Sequence, residues 1–525
     1  MVKTQSRRVR DPNLAQAVNS GYSSGGASHR KTTLAAYNPL KSSPQADVDV
    51  NLTTLRARSY DLYCNSPLGA AANNRSRANV VGAGLRCSPK VDFATLGMTA
   101  EAAKEWQRKT LREFELWANS TSCDLYRKHN FYDLQDIAYL GQLLDGDAWA
   151  ALKYRKPTPN MPYTLRVQIF EAARVCNPNS VSAYGPLSYY DVEAKNPDNG
   201  NRILNGVEMD EDGAVVAYWV ANRIPFDLIN PMQPLEWSRV EAYGKRTGRP
   251  NVLQISHEER PEQYRGVPYL APVIETLKQI SRYTGAELTA AIIKSFFTLF
   301  FTSEDGPTDV FQAVHDTYTH DEKVEMLNGI NLGTGSVNLL PDGVDVKAID
   351  GSRTMSTFET FTDQLIALVG AAIGIPAEAL MGKFTSSYSA SRAALLQAAQ
   401  GFKTRRTWFA RDFCQPVYEA WLAEAVALGR VRAKGYGTDP VLTAAWSRAD
   451  WFGPTMGMID PEKEVNGAML RRKHGLSTGE REAAELTGTD YDDNLKQIAL
   501  EDATWRANGM TPPSDSADTA GGDTE

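Results

Sequence analysis

Cysteine is scarce: five in 525 residues, widely spread and without a CxxC pair. That excludes a disulfide framework, and Cys64, Cys87, Cys123, Cys176 and Cys414 read as buried thiols of a reduced, cytosolic protein. Histidine is nearly as rare, at six. His315 and His320, with Asp316 and Asp321, make the most metal-like group. Two histidines five apart do not share a helix face, so a solvated polar surface is the preferred reading. Long apolar runs are missing too. The longest covers 365–375, about half of the ~20 residues a membrane span needs. Arg7, Arg8 and Arg10 are followed by no apolar core, which argues against a signal peptide. There is no GxSxG, no glycine-rich loop closing on Lys-Ser/Thr and no HExxH. Finally, positive charge is not in excess: Lys plus Arg is 56, Asp plus Glu is 63, and the net charge is −7. Tight nucleic-acid binders are normally basic, because phosphate neutralisation supplies most of their affinity. Any contact with DNA is therefore loose or confined to local basic patches.

What is present fits a folded protein, with 42% apolar and 23% charged residues, long enough for two to four domains of ~150 residues each. Residues 1–50 are rich in Ser, Gly, Ala, Asn and basic side chains. They read as a flexible arm that touches nucleic acid or an acidic partner, or is simply solvated. A helix is predicted over 51–72, then a turn into a strand at Val81–Gly82–Ala83–Gly84. Amphipathic helices follow over 99–117, with Thr99 as N-cap, and 131–144. Strands are predicted over 149–154, 165–170 and 251–257, with a hairpin of 207–209 and 214–219 about Asp210–Glu211–Asp212–Gly213. A long helix is expected from Pro272 towards Phe301, its last stretch apolar all round and buried in the fold or against another subunit. Residues 303–350 read as a compact insert, helical at 309–318 and 321–328 and closed by a hairpin of 335–340 with 344–349. Late helices start at Asp460–Pro461 and after Thr478, and 511–525 read as a disordered acidic tail.

The chain is organised around residues 350–430. Phe358, Phe361, Leu365, Ile366, Leu368 and Val369 set an apolar stripe along one helix. It stops at Gly374–Ile375–Pro376, because Pro376 disfavours a helical residue before it. A short restart through Glu378–Ala379–Leu380 leads into a hydroxyl-rich loop, Gly382–Lys383–Phe384–Thr385–Ser386–Ser387–Tyr388–Ser389. A longer helix is predicted from near Ser389 towards Gly429, bending at Pro416. With no nucleophile, metal cluster or phosphate cradle, this unit points away from catalysis. The competing reading is a metal-dependent hydrolase or nuclease with dispersed acidic ligands, such as Asp210, Asp212, Asp316 and Glu322.

Several runs carry a resemblance. Ile375–Pro376–Ala377–Glu378–Ala379–Leu380, Tyr388–Ser389–Ala390–Ser391–Arg392–Ala393–Ala394 and Arg265–Gly266–Val267–Pro268–Tyr269–Leu270–Ala271–Pro272 resemble the signatures of portal proteins from lambda-like tailed bacteriophages. Arg56, Arg58, Asn65, Pro67, Val81, Gly82 and Gly84 match in the same order. So do Trp451–Phe452–Gly453, Ile459–Asp460–Pro461–Glu462–Lys463–Glu464 and Gly475–Leu476–Ser477–Thr478, and the resemblance covers about residues 50–505. It implies an α+β portal fold: a wing over 51–265, stem helices in 266–302 and 351–381, and a small clip over 303–350. A tunnel loop at 382–389, a long wing helix over 390–430 and a mainly helical region over 431–510 complete it.

The resemblance also implies a ring of twelve identical subunits at one vertex of the phage head, found in the virion and, during assembly, in the host cytoplasm. Double-stranded DNA would pass through it without sequence-specific contact, facing Lys383, Phe384, Thr385, Ser386, Ser387, Tyr388 and Ser389. The clip, with His315, His320, Glu322 and Lys323, would face the terminase large subunit and later the head–tail connector. Major capsid and scaffold proteins are the other implied partners. No catalytic residue, cofactor, metal or membrane is implied, and ATP hydrolysis would belong to the separate terminase.

Overall fold

The computed structural model describes residues 26–28, 31–178, 193–225, 234–295, 299–303, 344–348, 355–455 and 461–512. The predicted flexible arm is packed at its end. Gln45–Asp49 forms a π-turn with Val48 and Asp49 buried, and Asp47 is paired with Arg260. The single helix expected over 51–72 is two: α1 (Leu52–Asn65) and α2 (Pro67–Val80). Pro67 keeps Ser66 out of the helical region, and the Ser66 hydroxyl accepts from the Gly69 amide at 3.3 Å to start α2. The turn after α2 needs Gly84. Its φ is +102°, and a Cβ there would lie 2.5 Å from the Tyr132 Cβ. It leads into β1 (Arg86–Pro89), which pairs antiparallel with residues far along the chain, Ala449–Phe452.

α3 (Ala100–Ala118) starts on a Thr99 cap and α4 (Phe131–Asp145) on a capping box of Asn130 and Asp133. α4 packs on β2 (Asp147–Tyr154), whose sheet neighbour is β3 (Leu165–Phe170). A second antiparallel sheet runs in order through β4 (Glu193–Lys195), β5 (Arg202–Leu204), β6 (Val207–Met209), β7 (Val215–Ala221) and β8 (Trp237–Glu241). The predicted hairpin is its β6–β7 pair. β9 (Val252–Ser256) returns to the other edge of β2.

α5 (Ile274–Ser295) stops short of its expected end. Leu299–Ser303 is a strand, β10, paired antiparallel with β11 (Val344–Ala348) from Leu299 opposite Ala348 to Ser303 opposite Val344. Aromatic and β-branched residues suit a strand once a partner strand is supplied. The partner expected for 344–349, residues 335–340, lies outside the described residues, as do the helices predicted over 309–318 and 321–328.

The organising stretch forms α6 (Met355–Ile373), α7 (Ala377–Met381), α8 (Tyr388–Phe409) and α9 (Gln415–Ala427). Between α8 and α9 the helix continues through a π-turn, Ala410–Cys414. The wider turn accommodates Pro416, which lacks an amide donor and crowds the carbonyl four residues back. α10 (Pro440–Ser447), β12 (Ala449–Phe452), α11 (Pro461–Lys473), α12 (Gly479–Leu486) and α13 (Tyr491–Ala507) end the chain.

Two of the four apolar clusters among the described residues join the helices. In the larger, Phe114 of α3 meets Phe131, Tyr418 and Trp421 edge-on, at centroid distances of 5.9, 5.4 and 5.0 Å. In the other, Leu62, Ala72, Leu277, Ile366, Val369, Ile373 and Leu380 join α1, α2, α5, α6 and α7.

Candidate functional site

α6 and α7 end alike, and that sets the loop between them and α8. Past α6, Gly374 takes φ +73° and the Ile375 amide donates to the Gly370 carbonyl at 2.9 Å. Past α7, Gly382 takes φ +70° and the Lys383 amide donates to the Glu378 carbonyl at 3.1 Å. Both are left-handed glycine stops closed by a six-to-one hydrogen bond. Gly370 is needed too, since a Cβ there would lie 2.4 Å from the Ile375 carbonyl oxygen.

The loop is shorter than predicted. The Ser387 hydroxyl accepts from the Ala390 amide at 3.4 Å and caps α8, so Tyr388 and Ser389 lie in the first helical turn. Lys383, Phe384, Thr385, Ser386, Ser387 and Ser389 are exposed, yet Lys383, Ser386 and Ser387 already have partners. Glu378 organises them. One of its oxygens accepts from the Ser386 amide at 3.0 Å and the other from the Ser391 hydroxyl at 2.8 Å. The Ser386 and Ser391 hydroxyls also meet at 2.8 Å. Hydrogen bonds from Ser386 and Ser391 hold the Glu378 carboxyl below its ordinary value.

Lys383, expected to face DNA, meets Glu359 of α6 at 3.0 Å. That hydrogen bond and the Glu359 charge raise the lysine pKa. Both side chains are exposed, so the pair is weak and open to exchange with another anion. Sequence reasoning assigned no role to Glu359 or Glu378. The serines that reveal Glu378 lie eight and thirteen residues away, a spacing that announces nothing until the chain turns back at Gly382.

The other predicted positions divide. His315, His320, Glu322, Lys323 and Asp316 lie outside the described residues. The pairing of β10 with β11 brings the two ends of their segment side by side. The Asp210 carboxylate accepts from the amides of Asp212 and Ala214 at 3.1 and 2.8 Å, which is turn chemistry. Among the described residues no group of three or more His, Cys, Asp or Glu is placed to hold a metal. Among them, too, no helix is long and apolar enough to cross a membrane.

Arg265, at the head of the longest motif, is buried. Its guanidinium donates to both carboxylate oxygens of Asp147, at 2.6 and 3.1 Å, and to the carbonyls of Val175 and Ala172 at 2.8 and 3.1 Å. Arg56 reaches the same carboxylate at 2.8 Å. Burial opposes the charge on Asp147, but Arg265 and Arg56 outweigh it and hold the carboxyl below its ordinary value. Gly266 follows because a Cβ there would lie 1.9 Å from the Gly146 carbonyl oxygen. The motif thus ties the entry to α5 onto β2.

Among known proteins, the family model described as phage portal protein, lambda family, matches residues 30–406. The chain belongs to the lambda family of phage portal proteins. Portal protein B of Escherichia phage lambda is 24% identical over 509 residues, covering 93% of this chain and 91% of that protein. The portal protein of Escherichia phage N15 is 25% identical over 513 residues, covering 94% and 92%. Among solved structures, a chain from the virion of a native gene transfer agent particle has 13% identity and a TM-score of 0.41, covering 83% of this chain and 92% of that one. In this member of the portal family, several residues that carry the likeness, Pro67, Gly84, Arg265 and Gly266, set turns and buried joints. The metal-dependent hydrolase reading has no support among the described residues.

Proposed function

We propose that twelve copies of this chain form a ring at one vertex of a phage head, through which duplex DNA enters during packaging and leaves at ejection. Family membership carries the reading. Apolar faces left uncovered on α5 and α6 support it: Leu288 is 63% exposed and Leu368 64%. In a closed ring the face of one copy would cover a different face of the next. On this reading α5 and α6 are the stem, 303–350 is the clip that meets terminase and then the head–tail connector, and 382–389 faces DNA. The rest of the chain forms wing and C-terminal regions that meet capsid and scaffold proteins in the virion. The protein is a conduit, with ATP hydrolysis left to terminase.

A net charge of −7 per copy, repeated around a ring, repels the duplex from the wall. The Lys383–Glu359 pair supplies one cation per copy that a phosphate borrows and returns, whichever base it carries. Negative-stain images and light scattering of the purified protein test the assembly: rings with a central hole are expected, and a homogeneous monomer overturns it. For the loop, Lys383→Glu should leave rings intact and impair packaging or retention of DNA. Wild-type packaging and retention in that variant would remove the loop from the proposal.

A further inference from the structure

We infer that residues 461–512 form a releasable arm whose carboxylates lie against a cationic face of the body, and that duplex DNA competes for that face. Among the described residues, α11, α12 and α13 contribute no residue to the apolar clusters. Their buried residues are Ala468, Glu482 and Ala484, and α13 has none. Among the described residues, ion pairs that join arm to body include Lys90 with Glu480 at 2.9 Å, Lys403 with Glu485 at 3.1 Å, Lys104 with Asp492 at 3.0 Å and Arg392 with Glu464 at 3.4 Å. In each, the cation is the body's and the carboxylate the arm's. The lysine pairs are exposed, so each is weak and salt weakens it further.

The arrangement around α12 indicates what replaces it. Residues five apart point about 140° apart around a helix, so Lys90 and Lys403 hold Glu480 and Glu485 from different sides. Lys90 also lies 3.7 Å from Asp450 of the body, which keeps it in place when the arm leaves. A negatively charged rod seated between lysines is the geometry a sugar–phosphate backbone needs, and ammonium groups bind phosphate without reading bases. The choice of duplex DNA as competitor rests on the proposed function; release of the arm by salt does not.

Two measurements on the full chain test this. First, amide hydrogen exchange over 479–507 is followed in the unaltered protein between about 0.05 and 1 M NaCl. Exchange is expected to quicken by about tenfold at high salt, with α4 amides unchanged. Second, a labelled DNA duplex is titrated against wild type and a Glu480→Gln/Glu485→Gln/Asp492→Asn variant. Freeing three lysines should tighten binding by about tenfold at low salt and steepen log K against log salt by roughly 3, at ~0.9 per phosphate contact. Adding Lys90→Gln, Lys104→Gln and Lys403→Gln to that variant should remove the gain. Salt-independent exchange over 479–507 overturns the arm. Unchanged duplex affinity in the neutralised variant overturns the DNA assignment, as does equal competition by polyglutamate. Both effects in a protein that forms no rings would sink the portal-ring reading and leave the arm standing.

Discussion

At the scale of single residues, two buried carboxylates differ in what they hold. Asp147 neutralises Arg265 and Arg56 at the junction of β2 with the entry to α5. Asp147→Ala leaves two guanidiniums without that partner, at a cost of about 3–5 kcal/mol, which a shift of the denaturant midpoint will register. Glu208 sits in the five-stranded sheet, accepting from Arg239, Asn199, Asn201 and Trp219 at 2.8, 2.8, 3.0 and 2.9 Å. Burial alone would raise its pKa; the hydrogen bonds from Arg239, Asn199, Trp219 and Asn201 win and bring it to about 2. A depressed carboxyl stabilises the fold fully above its unfolded value and loses that contribution as pH falls through the folded one. Glu208→Gln should therefore be less stable by about 3 kcal/mol at neutral pH. Its unfolding free energy should also decline less than wild type's between about pH 4.5 and 2; parallel acid limbs in the two proteins would refute the assignment. Neither carboxylate was legible beforehand, because the arginine each holds lies 31 or more residues away in sequence.

Among the elements, periodicity and caps predicted α3, α4, the β6–β7 hairpin and the α6–α7 break, all decided by neighbours in sequence. One failure was non-local and two were local. Leu299–Phe301 reads as the end of a helix until Val344–Ala348 lies beside it, and the loop after α7 is shortened by the Ser387 cap on α8. The split at Ser66 was readable, since Pro67 announces it. Glycine turns allow a paired test. Gly84→Ala meets both a φ of +102° and the Tyr132 side chain, and should cost about 2–4 kcal/mol. Gly97→Ala has a φ of +62° with open space around it, and should cost only about 1 kcal/mol. Thermal melts of the two variants, ranked the other way, would show that the Tyr132 contact is not what fixes Gly84.

For the molecule as a whole, family and fold class were legible from motif order. The loop proposed to face DNA was less so, because the contacts of Glu359 and Glu378 form only when α6, α7 and α8 are folded together. Exposed Leu368 on α6 belongs to this scale. Leu368→Asp should leave the circular dichroism of the chain unchanged and shift sedimentation from rings to smaller species; intact rings would remove this face from the proposed contact. The β10–β11 pairing has a broader consequence. Because Ser303 and Val344 end paired strands, the length and sequence of whatever joins them are able to drift without pulling on α5 or α6. On the proposed clip reading, partner choice is thereby uncoupled from the helices that flank the two strands, and relatives are expected to differ most between 303 and 344 while keeping the strands that bracket it.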